Sequence, residues 1–203
     1  MKWKELYFVS DEEFDEIVKV YEFNDKAHDL NHIHQVIKNA QIICKRMNFE
    51  YNLIIEVACL MHDAGANAYN RDNHHKVANQ IFEELFNREV IHLFFLDAIE
   101  IRNCILEHRS SFKDEDRSSI ESRIVAMADS GLPCITNEEL IDKLSRSIKY
   151  HLSKGETVLE AFNSARLHLK DKYGKNGYLQ YSDQYKSLFG DMLEVQYRLI
   201  DEM

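Results

Sequence analysis

The run Leu60-Met61-His62-Asp63-Ala64-Gly65 sets a His-Asp doublet at the end of an apolar stretch, with a glycine close behind. His32 lies upstream, and His74, His75, His108 and Asp129 lie downstream. Imidazoles and carboxylates near helix ends are the residue types that hold a catalytic divalent cation. Such a cation needs several neutral imidazoles or carboxylates, and open positions for water and substrate. In a His-Asp doublet the imidazole aims a nitrogen at the cation, while the two carboxylate oxygens can bridge to a second one. Burying an ionised Asp after so apolar a run is costly unless a cation pairs with it. Asp129 ends Ile124-Val125-Ala126-Met127-Ala128, where an acid opposes the helix dipole, and a cation would account for its presence.

Those side chains need helices to carry them. Ser10-Asp11-Glu12-Glu13 is a capping-box pattern ahead of Phe14, Ile17, Val18 and Tyr21 at helical spacing, which predicts a first helix ending near Asn24. Asp29 is a candidate N-cap for a second helix with Ile33, Val36, Ile37, Ala40, Ile43 and Cys44 as its apolar stripe, and His32 falls in its first turn. A third helix is predicted from about Asn52 to Asp63, apolar apart from Glu56 and closed by Gly65. Further helices are expected over about 74–86, 89–108 (with a break near Leu96-Asp97), 119–130, 138–152, 157–173 and 182–200. The loops 66–73 and 110–117 are polar, and 174–177 reads as a turn between packed helices, with a loop that covers a site as the alternative. No repeat, low-complexity tract or Pro-, Gly- or Ser-rich linker interrupts the chain, so one continuous all-α domain over 1–203 is expected.

Composition agrees with that fold and narrows the function. Of 203 residues, 45% are hydrophobic while Gly (6) and Pro (1) are scarce, which favours helices over turn-bounded strands. A formal net charge of -10 argues against a dedicated nucleic-acid or anionic-membrane binder, though it leaves room for a local cationic pocket. Cys44, Cys59, Cys104 and Cys134 lack C-x-x-C spacing and sit among apolar residues, as buried free thiols do. With neither a signal-peptide h-region nor an apolar run near 18 residues, a cytoplasmic protein is expected.

Three ordered segments resemble the HD-domain superfamily of metal-dependent phosphohydrolases. His28-Asp29-Leu30-Asn31-His32-Ile33-His34-Gln35-Val36 is similar to that family's first segment, Ala58-Cys59-Leu60-Met61-His62-Asp63-Ala64-Gly65 to its second, and Glu121-Ser122-Arg123-Ile124-Val125-Ala126-Met127-Ala128-Asp129 to its last. The resemblance covers about residues 25–135 and implies an HD-type helical bundle, with 136–203 as additional C-terminal helices. It implies one cation held by His32, His62, Asp63 and Asp129. Members with two cations add two histidines, which His74, ahead of Val77-Ala78, and His108, in Ile105-Leu106-Glu107-His108, resemble. The second cation would take Asp63, His74 and His108, with His75 in place of His74 as the alternative. The resemblance thus implies one or two divalent cations, with manganese, magnesium, iron, cobalt and nickel as the candidates and no choice among them legible.

The implied activity is hydrolysis of a phosphoester or phosphoanhydride by metal-activated water, on a nucleotide or another small phosphorylated molecule. His62, Asp63 and His28 are the candidate catalytic residues. The sequence also departs from the family. Gly65 is followed by Ala66 where many members have a Gly-Lys or Gly-Arg pair that meets phosphate, and Gln35 stands where many have Arg. No Glu-Asp pair follows the doublet, which argues against a guanosine tetraphosphate hydrolase. Arg71, Lys76 and Arg109 are therefore the candidate phosphate contacts. Two alternatives stand beside it: a di-iron HD-type oxygenase, whose six ligands this set also resembles, and a non-catalytic metal-binding regulatory module that keeps the fold but predicts a broken ligand set. The oligomeric state is not legible.

Overall fold

The computed structural model describes residues 3–25, 28–67, 69, 70, 72–109, 112–179 and 181–203. Among them every regular element is helical: α1 (Asp11–Ile17), α2 (Leu30–Met47), α3 (Leu53–Met61), α4 (His74–Asn87), α5 (Phe95–Glu107), α6 (Ile120–Ser130), α7 (Asn137–Ser153), α8 (Val158–Tyr173) and α9 (Asp183–Glu202), with short 3-10 turns at Val18–Tyr21 and Asp114–Asp116. The fold is all-α, as expected. The chain divides into two compact units, residues 1–131 and 132–203.

In the first unit α3 is the central helix, packed against α2, α5 and α6. Each residue from Ile55 to Asp63 is buried, including Glu56, His62 and Asp63. Its apolar sequence is therefore the consequence of neighbours on most sides. α2 turns Ile33, Val36, Ile37, Ala40 and Ile43 inward, and α6 turns in Ile124, Val125 and Ala128. Local chemistry sets the helix starts. Ser10 and Glu13 form a reciprocal capping box on α1. The Asp29 carboxylate accepts from the backbone N–H groups of Asn31 and His32, the Asn52 side chain accepts from Ile55 N–H, and Ser119 accepts from Ser122 N–H.

Gly65 shows why the chain after the doublet cannot simply continue. Its φ is +76°, and a Cβ there would lie 2.7 Å from Ile81 Cδ1 and 3.2 Å from Val77 Cγ1 on α4. The residue both turns the chain and lets α4 approach. Gly65→Ala is expected to lose about 1–2 kcal/mol from the left-handed backbone alone, plus the displacement of Ile81. A urea melt checks this, and a variant within about 0.5 kcal/mol of wild type would show that α4 yields freely.

Two boundaries differ from expectation. The first helix is α-helical only to Ile17 and tightens to a 3-10 turn through Tyr21. The helix expected from Glu89 begins at Phe95 instead. Glu89 adopts φ 56°, a left-handed conformation that ends α4 and cannot open a new helix, and Phe94 is extended.

The second unit holds α7, α8 and α9. Capping boxes at Thr136/Glu139 and Thr157/Glu160 start the first two. Leu140, Leu169 and Ile200 form a core closed by Leu144, Tyr173, Leu199 and Met203. Just after 174–177, Tyr178 N–H donates to Asp171 O and Leu179 N–H to Lys172 O, so the chain packs back on the end of α8. The four cysteines are free and buried. No helix among the described residues is long and apolar enough to cross a membrane.

Candidate metal centre

Six side chains from five places in the first unit converge. His32 comes from the first turn of α2, where the Asp29 cap fixes the backbone that carries it. His62 and Asp63 follow directly on α3, His74 opens α4, His108 is the C-cap of α5, and Asp129 lies in the last turn of α6. The ligand atoms of His32, His62, Asp63 and Asp129 lie within 4.8 Å of one another, and those of Asp63, His74 and His108 form a second such group.

Asp63 belongs to both groups, and its two oxygens divide the work. Oδ2 lies 3.3 Å from His32 Nε2 and 3.2 Å from His62 Nε2. Oδ1 lies 3.3 Å from His74 Nε2 and 3.7 Å from His108 Nε2. Asp129 Oδ1 completes the first group at 3.2 Å from His32 Nε2 and 3.6 Å from His62 Nε2. Ligand atoms about 2.0–2.2 Å from a divalent cation stand about 3.0–3.5 Å from each other, so these separations suit a shared ion.

The imidazole nitrogens carry the same message. His62 Nδ1 is 2.9 Å from Cys59 O, and His108 Nδ1 is 2.7 Å from Ile105 O. A carbonyl only accepts, so Nδ1 carries the proton in both rings and Nε2 presents its lone pair inward. Yet the buried Nε2 atoms of His32 and His62 have no hydrogen-bond partner, because their approaches to the carboxylates lack hydrogen-bond geometry. Orphaned buried nitrogens converging on two carboxylates fit a divalent cation and explain why so polar a cluster sits in the core.

The charge balance points the same way. Burial works against ionising Asp63 and Asp129, but the imidazoles of His62 and His32 hold both carboxyls well below the usual range. Burial likewise works against charge on His32, but Asp129 and Asp63 push it up to about 9, and His62 also rises. Without a cation, protons on two imidazoles supply positive charge that the carboxylates demand. His108 behaves oppositely: burial, and then the charge on His62, bring it down to about 4, so it stays a neutral donor of its lone pair.

One side of the centre is closed and another open. The side chains of His62 and Asp63 are 0% and 3% exposed, whereas those of His32 and Asp129 keep 26% and 28%. His32 and Asp129 therefore line the side of the cluster that faces solvent. His28 stands beside the cluster without joining it, its ring centroid 6.2 Å from that of His32 and 5.8 Å from that of His74. Its Nδ1 is 2.7 Å from Asp25 Oδ1.

His74, not His75, enters the ligand group. Of the candidate phosphate contacts, Lys76 is exposed on the first turn of α4. Arg109 donates through Nη1 to Asp72 O, so part of its guanidinium already braces a loop. Arg71 lies outside the described residues. His34 pairs with Glu5 and stacks on Trp3, apart from the cluster. Glu121, eight residues before Asp129, accepts from Asn52 at the opposite end of α3.

Several supporting residues escaped the sequence. Asn24 Nδ2 donates to both His28 O and Asp63 O at 2.8 Å, tying the entrance of α2 to the doublet. Tyr21 donates its hydroxyl to Leu60 O. Asn39 Nδ2 donates to Ala128 O at 2.9 Å, locking α2 to the residue before Asp129. A polar residue among the inward positions of α2 was the available signal for Asn39. Asn24 offered none, because its partners are backbone carbonyls.

Comparison with protein families matches residues 29–130 to the family described as HD domain. Comparisons with curated proteins and with solved structures find no match.

Proposed function

The chain belongs to the HD-domain family, commonly metal-dependent phosphohydrolases, and from that premise we propose that it hydrolyses a phosphoester or phosphoanhydride of a small phosphorylated molecule, nucleotides included. The observation that carries this reading is the division of Asp63, one oxygen toward each group of imidazoles. His32, His62, Asp63 and Asp129 would hold one divalent cation, and Asp63, His74 and His108 a second. When bound, such cations acidify water for attack and neutralise charge on phosphoryl oxygens.

The chain's own residues then divide the remaining tasks. His62 and His108 keep their Nδ1 protons on backbone carbonyls, so their rings cannot rotate away during turnover. The partly exposed side of His32 and Asp129 admits the phosphoryl group, while the buried doublet keeps bulk water from the opposite side. His28, oriented through Nδ1 by Asp25, leaves Nε2 to give a proton to the departing oxygen. Lys76, on the first turn of α4, and Arg109, just past the end of α5, would meet the outer phosphate oxygens. The formal charge of -10 does not oppose an anionic substrate, because bound cations reverse the local field.

The experiment is a metal-by-substrate panel. Protein stripped with chelator and resupplied with Mn²⁺, Mg²⁺, Fe²⁺, Co²⁺ or Ni²⁺ should release phosphate or a nucleoside from at least one phosphorylated compound. That rate should exceed the metal-free rate by about 10²-fold or more, the scale on which charge stabilisation acts. His62→Ala should abolish it. Stoichiometric ion uptake without turnover of any compound would leave a regulatory module, and dioxygen consumption by the iron-loaded protein would leave an oxygenase.

A further inference from the structure

We infer that Arg117 is a positioning residue for His108, and through His108 for the second cation group; this rests on the two-cation reading above. His108 stands where a helix leaves its last carbonyls without intrahelical partners. Arg117 supplies partners on both sides of it. Its Nη1 donates to Glu107 O, and its Nη2 donates to Arg109 O at 3.2 Å and Phe112 O at 2.9 Å. The guanidinium is buried, with Arg117 only 8% exposed, and its ring-side contact is Phe112 at 5.7 Å. Its nearest acid is Asp114, whose Oδ1 is 3.6 Å from Nε. Two of the three hydrogen bonds of this buried cation go to the carbonyls flanking a candidate ligand.

A second clamp runs the other way. Glu107 Oε2 accepts from Ser118 N–H at 2.9 Å, Ser118 Oγ at 3.1 Å and Ser122 Oγ at 2.6 Å. The residue just before His108 is thus fastened to the first turn of α6, the helix that carries Asp129. The Arg117 side chain holds the backbone around His108, and the Glu107 side chain holds the backbone just after Arg117. Together they set where His108 Nε2 lies. That atom has the longest separation from Asp63 in the second group, 3.7 Å, so a modest outward shift removes it from shared reach. A planar fork spanning three carbonyls is a task for arginine that a lysine ammonium cannot copy.

The test is ion binding to the full-length, chelator-stripped protein, read by calorimetric titration with Mn²⁺. Wild type should take two ions. Arg117→Ala should bind the first with unchanged affinity and the second about 10–100-fold more weakly, the range seen when residues that orient ligands are removed. Arg117→Lys should shift in the same direction and serves alone if Arg117→Ala does not fold. His108→Ala should spare the first ion and weaken the second at least as much, and combining it with the Arg117 substitution should add nothing, because both act on one ligand. Wild type that takes fewer than two ions overturns the two-cation reading and this inference with it. Wild type with two ions, alongside Arg117 variants with two ions of unchanged affinity, overturns the inference alone, even if their Tm falls.

Discussion

Asp63→Asn is expected to lower metal-dependent phosphate release by about 10³-fold or more, equivalent to at least about 4 kcal/mol of transition-state stabilisation. The substitution keeps the shape and burial of the side chain but removes its charge and turns one oxygen into an N–H donor. In wild type, Oδ2 faces His32 and His62 while Oδ1 faces His74 and His108. Whichever way the amide turns, one imidazole group loses its shared oxygen. The variant should therefore also lose an ion from its stoichiometry. The rise in Tm expected of the wild type with Mn²⁺ should shrink, since a ligand stabilises according to its affinity for the folded chain. Asp129→Asn makes the contrast: Asp129 belongs to the first group only, so the second should persist. Activity assays and ion titration on both variants decide the matter. An Asp63→Asn protein keeping more than about a tenth of the activity, less than about 1.4 kcal/mol of loss, would refute the bridging role.

The centre was legible where chemistry is written in residue type and local context. His62 and Asp63 stand out because a charged doublet has no reason to follow so apolar a run, and Asp129 because an acid ends an apolar helix. Both arguments concern burial, and burial is what the structure shows for the doublet. Helix starts were legible for a similar reason: Ser10 with Glu13, and Asp29, act on backbone N–H groups two or three residues away. The choice between His74 and His75 was not, since adjacent residues on a helix share sequence context and differ only in direction. The late start of α5 depends on the left-handed backbone at Glu89, a residue type with no preference for that conformation. Arg117 was hidden among the charges of a polar loop. Its partners are carbonyls five to ten residues distant, and backbone carbonyls are the same at every position.

Glu56, the one acid within the apolar run of α3, supports the last prediction. The residue is 0% exposed, and its carboxylate accepts from three successive backbone N–H groups, Tyr7 and Phe8 at 2.8 Å and Val9 at 2.9 Å. It therefore fastens the segment that places Leu6 and Val9 in the core, at 4% and 2% exposure. Glu56→Ala leaves three N–H groups without acceptors and a void beside α3. Each orphaned group costs about 1–3 kcal/mol if it stays buried. The segment can instead peel off and hydrate, which limits the penalty but exposes Leu6 and Val9. The expected loss is about 3–5 kcal/mol, the range found when a buried charged partner is removed, and a Tm lower by about 10 °C or more. Glu56→Gln keeps one acceptor oxygen but turns an N–H donor toward the others, so it should fall between. Urea and thermal melts give the size of the effect, and tryptic cleavage after Lys4 reports whether the segment has come loose. Because α3 ends in His62, the melts should be repeated with Mn²⁺: an ion gripped at the far end of the helix should recover part of the loss. A Glu56→Ala chain within about 1 kcal/mol of wild type, with Lys4 still protected, would mean that the three hydrogen bonds do not hold the amino-terminal segment in place.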